Sequence, residues 1–279
     1  MKKFPSLPRI ANAPPELLDG GHLWLQEKVD GANIRFSVAQ SGMIVFGDRS
    51  RVYRTKEPPA PYHHAVRHIR ERFDREAFLS VADDPESFVF FGEAMHHHTI
   101  DYDWERTPSF LGFDIWSAER EEFLPLDTAE RAFVRLKLDP VNTVEKEARA
   151  VDFDSDTYEI PQSAWYDGLA EGIGVKNKNG TRAKLLHPRF REVEETVPLT
   201  GDPTTLAKRY ATDRRIEKIV EKCRDREIPI TFDAVYDRLV EDIVREEHKE
   251  LYHAEMTVDM REFRSEVAAH TRKYLADQV

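Results

Sequence analysis

Over its first two thirds, the chain alternates short apolar runs with polar ones at the period of β-strands. Seven runs rich in Val, Ile and Phe are bounded mostly by Gly, Asp or Asn, as strands commonly are. The runs are residues 23–27, 34–38, 43–46, 88–94, 110–116, 172–176 and 183–186. Between them, Val66, Ile69 and Phe73 predict a helix within 65–78, and Asp127 can cap one running to about residue 136. This pattern predicts an α+β fold with largely antiparallel strands flanked by helices.

The pattern changes after about residue 197, where helical spacing replaces strand spacing. Asp202 followed by Pro203 reads as a cap and a first helical position, and Thr212 opens a second helix. Apolar residues then mark a long amphipathic helix within 232–244, and a last helix is predicted from Thr257 to about Ala276. We therefore predict two domains, a strand-rich one over 1–197 and a small all-α one over 198–279.

The charge balance limits how the chain can meet a polyanion. Acidic residues outnumber basic ones 52 to 41, for a net charge of -11, so nucleic acid would be repelled at long range and must bind a local basic groove. Such acid excess, with Arg exceeding Lys, suits either a high-salt organism or a GC-rich genome. Five basic residues that could contact RNA cluster at the start of the helical region: Lys208, Arg209, Arg214, Arg215 and Lys218.

Several classes of protein are disfavoured by what the sequence lacks. It has one cysteine, so an internal disulfide is excluded, and no apolar run approaches ~20 residues. We therefore predict a soluble, cytoplasmic protein without membrane association. A Gly-rich phosphate loop and a dinucleotide fingerprint are absent, which argues against kinase, P-loop and Rossmann proteins. The oligomeric state stays open, although the amphipathic C-terminal helices could pair two chains.

The most informative short motif lies at the exit of the first predicted strand. There Lys28 begins the sequence KVDGAN, residues 28–33. A strand fixes the lysine backbone, and the glycine lets a ligand approach closely, so Lys28 is a candidate covalent nucleophile. A surface turn would explain the motif equally well if it stood alone.

Five later segments place charged or aromatic residues at or beside predicted strands. They are Arg49-Ser50-Arg51, the FFGE sequence ending at Glu93, the Phe113-Asp114 pair, EGIGVK over 171–176, and RAKLL over 182–186. Together with the Lys28 motif, and in this order, they resemble the six collinear motifs of the covalent nucleotidyltransferases. This superfamily contains the ATP-dependent RNA and DNA ligases and the capping enzymes. The resemblance spans about residues 20–192.

Within that superfamily, the sequence looks most like the RNA-ligase branch that seals nicks in duplex RNA. The Lys28 motif, the Phe113-Asp114 pair and the 184–192 segment carry this likeness. A helical C-terminal unit also favours it, because DNA ligases and capping enzymes usually carry a strand-rich OB domain there. The resemblance implies an ATP-dependent RNA ligase that joins 5'-phosphate and 3'-hydroxyl ends through a lysyl-AMP, with Mg²⁺ or Mn²⁺ as metal and RNA as partner.

The resemblance also implies roles for individual side chains. Lys28 would carry the AMP, Glu93 would contact the ribose, and Phe113 would stack on the adenine. Asn33 would touch the reacting phosphates. Glu27, next to the nucleophile, would also bind the cofactor.

The phosphates and the metal would be held by a second group of residues. Lys176 and Lys184 would hold the α-phosphate, and Glu171 would support a metal or the ribose-phosphate, with Asp114 as a second candidate metal ligand. Because only an unprotonated lysine attacks phosphorus, we expect these cations and partial burial to lower the pKa of Lys28.

Two residue assignments stay open at this point. Either Arg49 or Arg51 would bind the 5'-phosphate or the AMP, since a guanidinium grips phosphate with two donors. The last motif normally has two lysines one residue apart, whereas here Leu186 takes the second position unless Arg182 supplies the other cation.

The sequence also leaves alternatives for the function and for the RNA substrate. A DNA ligase or a guanylyltransferase of the same superfamily is the first. The second is an RNA-end binding module that kept the nucleotide pocket without turnover. The substrate could be single-stranded RNA, a nicked duplex, cleaved tRNA or a hybrid.

Overall fold

A computed structural model describes residues 1–54, 56–190, 202–252 and 258–277. Its internal contacts divide the chain into two units, one of Met1–Met95 and Thr99–Glu194, the other of His96–His98 and Glu195–Val279. The predicted domain boundary at 197/198 lies outside the described residues and stays a prediction. Among the described helices, none is long and apolar enough to cross a membrane.

The described residues of the first unit form ten strands in two antiparallel sheets, which confirms the predicted α+β class. The strands are β1 His22–Lys28, β2 Ala32–Val38, β3 Ile44–Asp48, β4 Val52–Tyr53, β5 Phe88–Ala94, β6 Phe110–Ser117, β7 Glu122–Phe123, β8 Thr143–Arg149, β9 Gly172–Asn177 and β10 Arg182–Leu186. All seven predicted strands are present, with ends that differ by up to two residues. The sequence pattern missed β4, β7 and β8.

The smaller sheet has the order β10-β9-β1-β8. In its register, Gly174 lies between Gln26 on β1 and Lys184 on β10, and Gly172 lies between Lys28 and Leu186. These residues share one face of the sheet, because side chains alternate along a strand. The edge strand β8 has the polar sequence TVEKEAR and is mostly exposed, which is why hydrophobic alternation did not reveal it.

The larger sheet has the order β4-β3-β2-β5-β6-β7. One of its faces packs on the first helices through a core that includes Phe36, Phe90 and Phe110. β2 pairs with β5 so that Asn33 lies opposite Glu93. These two side chains belong to the other face of the sheet. The two strands of the Lys28 motif therefore belong to different sheets, β1 to the smaller and β2 to the larger.

Helices of the first unit follow the predicted positions with two corrections. The predicted 65–78 helix is two helices, α1 His63–Arg72 and α2 Arg75–Leu79, because Phe73 is extended and Asp74 caps the second. The next helix, α3, is Leu126–Arg135 with Pro125 at its N-cap. Asp127 therefore lies in the first turn of α3, where a carboxylate still favours the helix dipole, rather than at the cap.

In the described residues after 201, all regular elements are helical. They are α4 Pro203–Tyr210, α5 Asp213–Asp225, α6 Phe232–Glu246, α7 His248–Leu251 and α8 Met260–Ala276. The predicted caps are confirmed, since Asp202 accepts from the Thr205 amide and Thr212 from the Arg215 amide. Thr257, the predicted start of the last helix, lies outside the described residues.

Candidate active site

The first unit contains a cavity of about 440 Å³ that gathers most of the predicted site residues. The predicted residues that line it are Glu27, Lys28, Asn33, Arg49, Glu93, Phe113, Lys176 and Lys184. They come from both sheets, so the pairing of strands distant in sequence brings the motifs together. This volume lies within the range of pockets that bind small molecules and cofactors.

Two residues of the motif, Asp30 and Gly31, serve its local structure. Asp30 is buried, and its Oδ2 accepts from the amides of Thr99 and Ile100 at 2.7 and 3.0 Å. Gly31 approaches the neighbouring strand so closely that a Cβ there would lie 2.6 Å from the carbonyl oxygen of Ala94. The motif thus requires an acid and a glycine for local structure, which leaves Lys28 as its chemical group.

The amine of Lys28 is paired with a carboxylate inside the cavity. Its Nζ donates to Oε1 and Oε2 of Glu171 at 2.8 and 2.6 Å. Burial lowers the pKa of Lys28, but the carboxylates of Glu171, Glu93 and Asp30 outweigh burial and raise the pKa above its ordinary value. The expected lowering of this pKa is therefore wrong for the structure as it stands, because the acids around the amine dominate over nearby cations.

Glu93 and Asn33 present unsatisfied polar atoms at the cavity. Among the described residues, neither Oε2 of Glu93 nor Oδ1 of Asn33 has a hydrogen-bond partner, and both atoms are buried. Burial raises the pKa of Glu93 to about 8, with Lys28 opposing and Glu171 adding to the shift. Because buried polar atoms are normally hydrogen-bonded, these two are suited to a ligand with hydroxyl or amine groups.

Phe113 reaches the cavity because the sheet is irregular at this point. The ladder between β5 and β6 pairs Phe91 with Asp114 and Gly92 with Gly112, so Phe113 is the extra residue of a β-bulge. Bulges commonly redirect a side chain beside an active site. The ring of Phe113 is half-buried at the cavity wall, where it can stack on a planar ligand.

Lys176 supports the Phe113 end of the cavity instead of standing free for a phosphate. Its Nζ donates to Oδ2 of Asp114 at 2.9 Å and to the carbonyl oxygen of Phe113 at 3.1 Å. Burial lowers the pKa of Lys176, while Asp114 opposes this. The prediction that Lys176 holds the α-phosphate is not supported by this geometry, because its ammonium is already bonded beside the aromatic ring.

Asp114 and Arg182 complete this buried ion cluster. Asp114 is 0% exposed, and its Oδ1 accepts from Nη2 of Arg182 at 3.3 Å, while its other oxygen accepts from Lys176. The guanidinium of Arg182 also lies over the ring of Phe123 at 3.9 Å. This arrangement speaks against Asp114 as a metal ligand, because both of its oxygens are engaged. Arg182 is not among the lining residues of the cavity, which speaks against it as the second phosphate cation.

Lys184 is the residue of the last motif that does line the cavity. Burial lowers the pKa of Lys184, and the nearby cations Lys28 and Arg49 add to this. Its cross-strand neighbour is Gly174, where a Cβ would find no atom closer than 3.9 Å. The glycine thus leaves open space on the sheet between Lys184 and Gln26. A ligand could approach the backbone closely there.

The two arginines that follow β3 differ in their surroundings. Arg49 lines the cavity and donates through Nη2 to Oγ of Ser6 at 2.7 Å. Arg51 is exposed and does not line the cavity. Its backbone amide donates to Oδ1 of Asp48 at 2.6 Å. The geometry therefore favours Arg49 for binding phosphate at this site.

Glu27 is buried beneath the cavity and holds a neighbouring loop. Its Oε1 accepts from Oγ of Ser163 at 2.5 Å, and its Oε2 accepts from the Ala164 amide and from Nδ2 of Asn142 at 3.1 and 3.2 Å. The side chain is thus engaged away from Lys28, as strand alternation requires. A direct contact of this carboxylate with a cofactor is not supported.

Protein ligands for a metal are few. In the part of the chain that the structure describes, no group of three or more His, Cys, Asp or Glu side chains could hold a metal ion. Glu171 is the predicted ligand that remains, since it borders Lys28. A hard cation held by one or two carboxylates together with ligand phosphates is the usual arrangement for Mg²⁺.

Several lining residues were missed by the sequence analysis, and three of them offer an aromatic ring or a polar group. Phe4, Gln26 and Tyr62 all border the cavity, and Oε1 of Gln26 is a buried atom with no partner among the described residues. Gln26 could have been found, because it shares a strand face with Lys28 two residues away. Phe4 lies in a loop and Tyr62 ends a short 3-10 helix just before α1. Neither belongs to a motif, so only the fold reveals them.

The basic residues of the helical unit are largely neutralised by acids. Arg215 pairs with Asp242, Glu246 and Glu247, and Lys218 pairs with the first two of these. A third basic residue, Arg209, lies 3.7 Å from Glu250. The helices therefore offer less free positive charge to RNA than the sequence suggested.

Comparison with solved structures places the fold among RNA ligases. An RNA ligase of Naegleria gruberi solved with pyrophosphate aligns with a TM-score of 0.54 at 16% identity, covering 70% of this chain and 58% of that one. A mutant of that ligase with ATP and Mn gives 0.53 at 16%, covering 68% and 57%. An archaeal ATP-dependent RNA ligase gives 0.51 at 16%, covering 100% and 65%. At such identities the likeness shows the fold, and this chain spans 58% of the Naegleria enzyme's length.

The arrangement of the two sheets around the half-buried Lys28 is thus that of the nucleotidyltransferase fold. A family model described as RNA ligase matches residues 21–190, which include every strand and all the motifs described above. Because this match covers more than half of the sequence, the chain belongs to the RNA ligase family. Comparison with curated proteins gives no significant match.

Proposed function

We propose that the protein is an ATP-dependent RNA ligase that joins a 5'-phosphate to a 3'-hydroxyl through an AMP carried on Lys28. The observation that supports this proposal is that Lys28 lines one cavity together with the aromatic ring of Phe113 and the cations Lys184 and Arg49. The family membership supports the same reaction class.

The cavity fits ATP by size and by its polar groups. Its volume of about 440 Å³ can accept a nucleotide. Phe113 offers a flat apolar wall to a base, and the unsatisfied atoms of Asn33 and Glu93 suit sugar hydroxyls. The Naegleria ligase structures solved with ATP and Mn or with pyrophosphate support the same choice of ligand.

Three group transfers account for the reaction. The unprotonated Nζ of Lys28 attacks the α-phosphorus of ATP, forming a P–N bond and breaking the bond to pyrophosphate, which leaves. An oxygen of the RNA 5'-phosphate then attacks the same phosphorus, breaking the P–N bond and returning the lysine. Finally the 3'-hydroxyl attacks the RNA phosphorus, loses its proton and expels AMP.

The chain's own residues would stabilise charge during these transfers. Lys184 and Arg49 are fixed cations at the cavity, suited to the oxygens of the transferring phosphoryl group. Glu171, which now pairs with Lys28, would hold a divalent cation together with the phosphates. When bound, Mg²⁺ or Mn²⁺ would neutralise phosphate charge and orient the leaving pyrophosphate.

The first experiment is labelling of the protein with nucleotides carrying ³²P at the α-phosphate. With Mg²⁺ present, ATP but not GTP, CTP or UTP should leave covalent label on the protein that survives denaturation and alkali but is released by acid, as a P–N bond requires, and Lys28→Ala should abolish it. Lys178→Ala is the matched control, because Lys178 is an exposed lysine that pairs with Glu147 outside the cavity. Equal labelling of Lys28→Ala and the parent would refute the nucleophile.

The second experiment identifies the substrate. A nicked RNA duplex should yield a sealed strand, with single-stranded RNA, a hybrid and nicked DNA as comparisons. Preferred labelling by GTP would instead favour a guanylyltransferase, and sealing of DNA alone would favour a DNA ligase. Binding of nicked RNA without any sealing, even of pre-adenylated ends, would favour an RNA-end binding module.

A further inference from the structure

The segment of residues 4–8, here called the N-terminal segment, contacts three candidate site residues in turn. Phe4 packs on Phe113, Ser6 binds Arg49, and the carbonyl oxygen of Pro8 binds the Lys184 amide. No family motif predicted this segment, and its residues Phe4, Pro5 and Leu7 line the cavity. Its role rests on the proposed function, which supplies the ligand.

Phe4 is held in place at the Phe113 end of the cavity. Its ring centroid lies 4.9 Å from that of Phe113, 5.3 Å from Phe91 and 5.6 Å from Phe123. The guanidinium of Arg182 lies 5.5 Å from the same centroid. Edge-to-face packing of this kind orients rings specifically, so Phe4 is a preformed part of the wall.

The angle between the two rings decides what Phe4 can do to a bound base. The planes of Phe4 and Phe113 are inclined at 70°. A base stacked parallel to Phe113 would therefore lie nearly perpendicular to Phe4. Because both rings line the same cavity, a base that stacks on Phe113 and extends to Phe4 cannot also stack on Phe4. It would instead bring an edge against the Phe4 ring, which offers no hydrogen bond to that edge.

The rest of the segment is tied to the phosphate-binding residues. Nη2 of Arg49 donates to Oγ of Ser6 at 2.7 Å, and the amide of Lys184 donates to the Pro8 carbonyl oxygen at 2.9 Å. The next residue, Arg9, forms a parallel bridge with Lys184. The segment thus connects the base end of the cavity with its cationic end.

We propose that the N-terminal segment is a wall of the nucleotide site and that Phe4 selects the base by bordering its edge. An apolar wall accepts a C–H edge, whereas a polar substituent placed against it would lose its hydrogen bonds to water. Ser6 is a positioning residue, acting through Arg49.

The test compares Phe4→Ala with the parent in the full chain, using label transfer from ATP to Lys28 in a single turnover. The ATP concentration for half-maximal rate should rise about three- to tenfold, the range expected for losing an aromatic contact. The rate at saturating ATP should change less than about twofold, since Phe4 does not touch the amine. Phe4→Tyr should have the same ATP concentration for half-maximal rate as the parent, because tyrosine keeps the aromatic ring.

A gain of function provides the second measurement. Phe4→Ala should accept ATP bearing a bulky group at C2 or at N6 of adenine at least about tenfold better than the parent does. Phe153→Ala is the control, since Phe153 is a half-buried ring that packs on Tyr158 away from the cavity. It should show neither effect, and its melting temperature gauges the general cost of removing a ring.

The outcomes separate this inference from the proposed function. If the parent takes no label from ATP, the proposed function fails. If the parent is labelled but Phe4→Ala has the parent's ATP dependence and gains neither analogue, the role of Phe4 is refuted. A fall only in the saturating rate, shared with Phe153→Ala, would also refute it, because that result indicates a general structural defect.

Discussion

The ammonium of Lys28 lies 2.8 and 2.6 Å from the two carboxylate oxygens of Glu171. Charge-assisted pairing of this kind favours the protonated amine, and a protonated amine cannot attack phosphorus. The pair therefore keeps the proposed nucleophile in an unreactive charge state. Adenylation requires that the amine lose this proton.

The first prediction is that Glu171→Gln lowers the pKa of Lys28. The carboxylate contributes to raising this pKa above its ordinary value, and glutamine keeps the shape without the charge. The fraction of free amine at a given pH should therefore increase. The rate at which a small amine-reactive reagent modifies Lys28, measured by mass spectrometry between pH 7 and 11, should shift to lower pH by about one unit or more.

Glu145→Gln provides the control, because Glu145 is an exposed acid on β8. Its modification profile should match that of the parent. An unchanged profile in Glu171→Gln would mean that Glu93 and Asp30 suffice to keep the amine protonated. A shift to higher pH would contradict the proposed electrostatics.

The second prediction concerns the pH dependence of stability through Glu93. Burial raises the pKa of Glu93 to about 8 from 4.5, so between these values the folded protein holds a proton that the unfolded chain has lost. Stability should then fall as the pH rises through this window and stay reduced above it. Glu93→Gln removes this penalty, so its stability relative to the parent should grow between pH 5 and pH 9, by at least about 1 kcal/mol.

Urea unfolding of both proteins at the two pH values measures this difference. The exposed Glu119 provides the matched substitution, and Glu119→Gln should track the parent at both pH values. If the advantage of Glu93→Gln were equal at pH 5 and pH 9, the Glu93 carboxyl would not be the group that titrates.

Much of the candidate active site was predictable because its residues follow strands that hydrophobic alternation identifies. Lys28, Glu93 and Phe113 each stand at a strand end or bulge within a recognisable run. The antiparallel pairing that joins them could not be read from spacing alone, since β1 of the smaller sheet pairs with residues more than a hundred positions away. Resemblance to a family supplied that grouping.

What could not be predicted depends on side-chain direction and on partners. Alternation alone places Glu27 and Lys28 on opposite faces, yet which face meets the ligand is decided by the fold. Lys176 and Arg182 are both cations near a phosphate motif, and only the structure reveals that Asp114 takes both. Phe4 has no periodic context, so its contact with Phe113 depends wholly on tertiary packing.

The third prediction separates the two arginines that follow β3. Arg49→Ala should reduce sealing of nicked RNA by about tenfold or more, because a guanidinium that lines the cavity would lose its phosphate contact. Arg51→Ala should stay within about threefold of the parent, since Arg51 is exposed outside the lining. Sealing rates at saturating ATP measure both. A larger loss in Arg51→Ala would reverse the assignment.

The fourth prediction is that Asp114 stabilises the first unit by pairing with two buried cations. Asp114 is fully buried, and Lys176 and Arg182 are 5% and 7% exposed. Removing the shared carboxylate leaves two positive charges without compensation in a region of low polarity. Asp114→Ala should therefore reduce the free energy of unfolding by about 3–5 kcal/mol, measured by urea denaturation.

A second substitution distinguishes lost charge pairing from lost packing. In Asp114→Ala/Lys176→Met, an apolar side chain of similar length replaces one of the two uncompensated cations. The double variant should therefore regain part of the stability that Asp114→Ala loses. The changes in the free energy of unfolding caused by the two single substitutions should not add. Strict additivity would mean that Asp114 contributes through packing alone. Because Lys176 also donates to the Phe113 carbonyl oxygen, the double variant should still bind ATP more weakly than the parent even where its stability recovers. Stability and nucleotide affinity thus depend on the same buried cluster through different atoms.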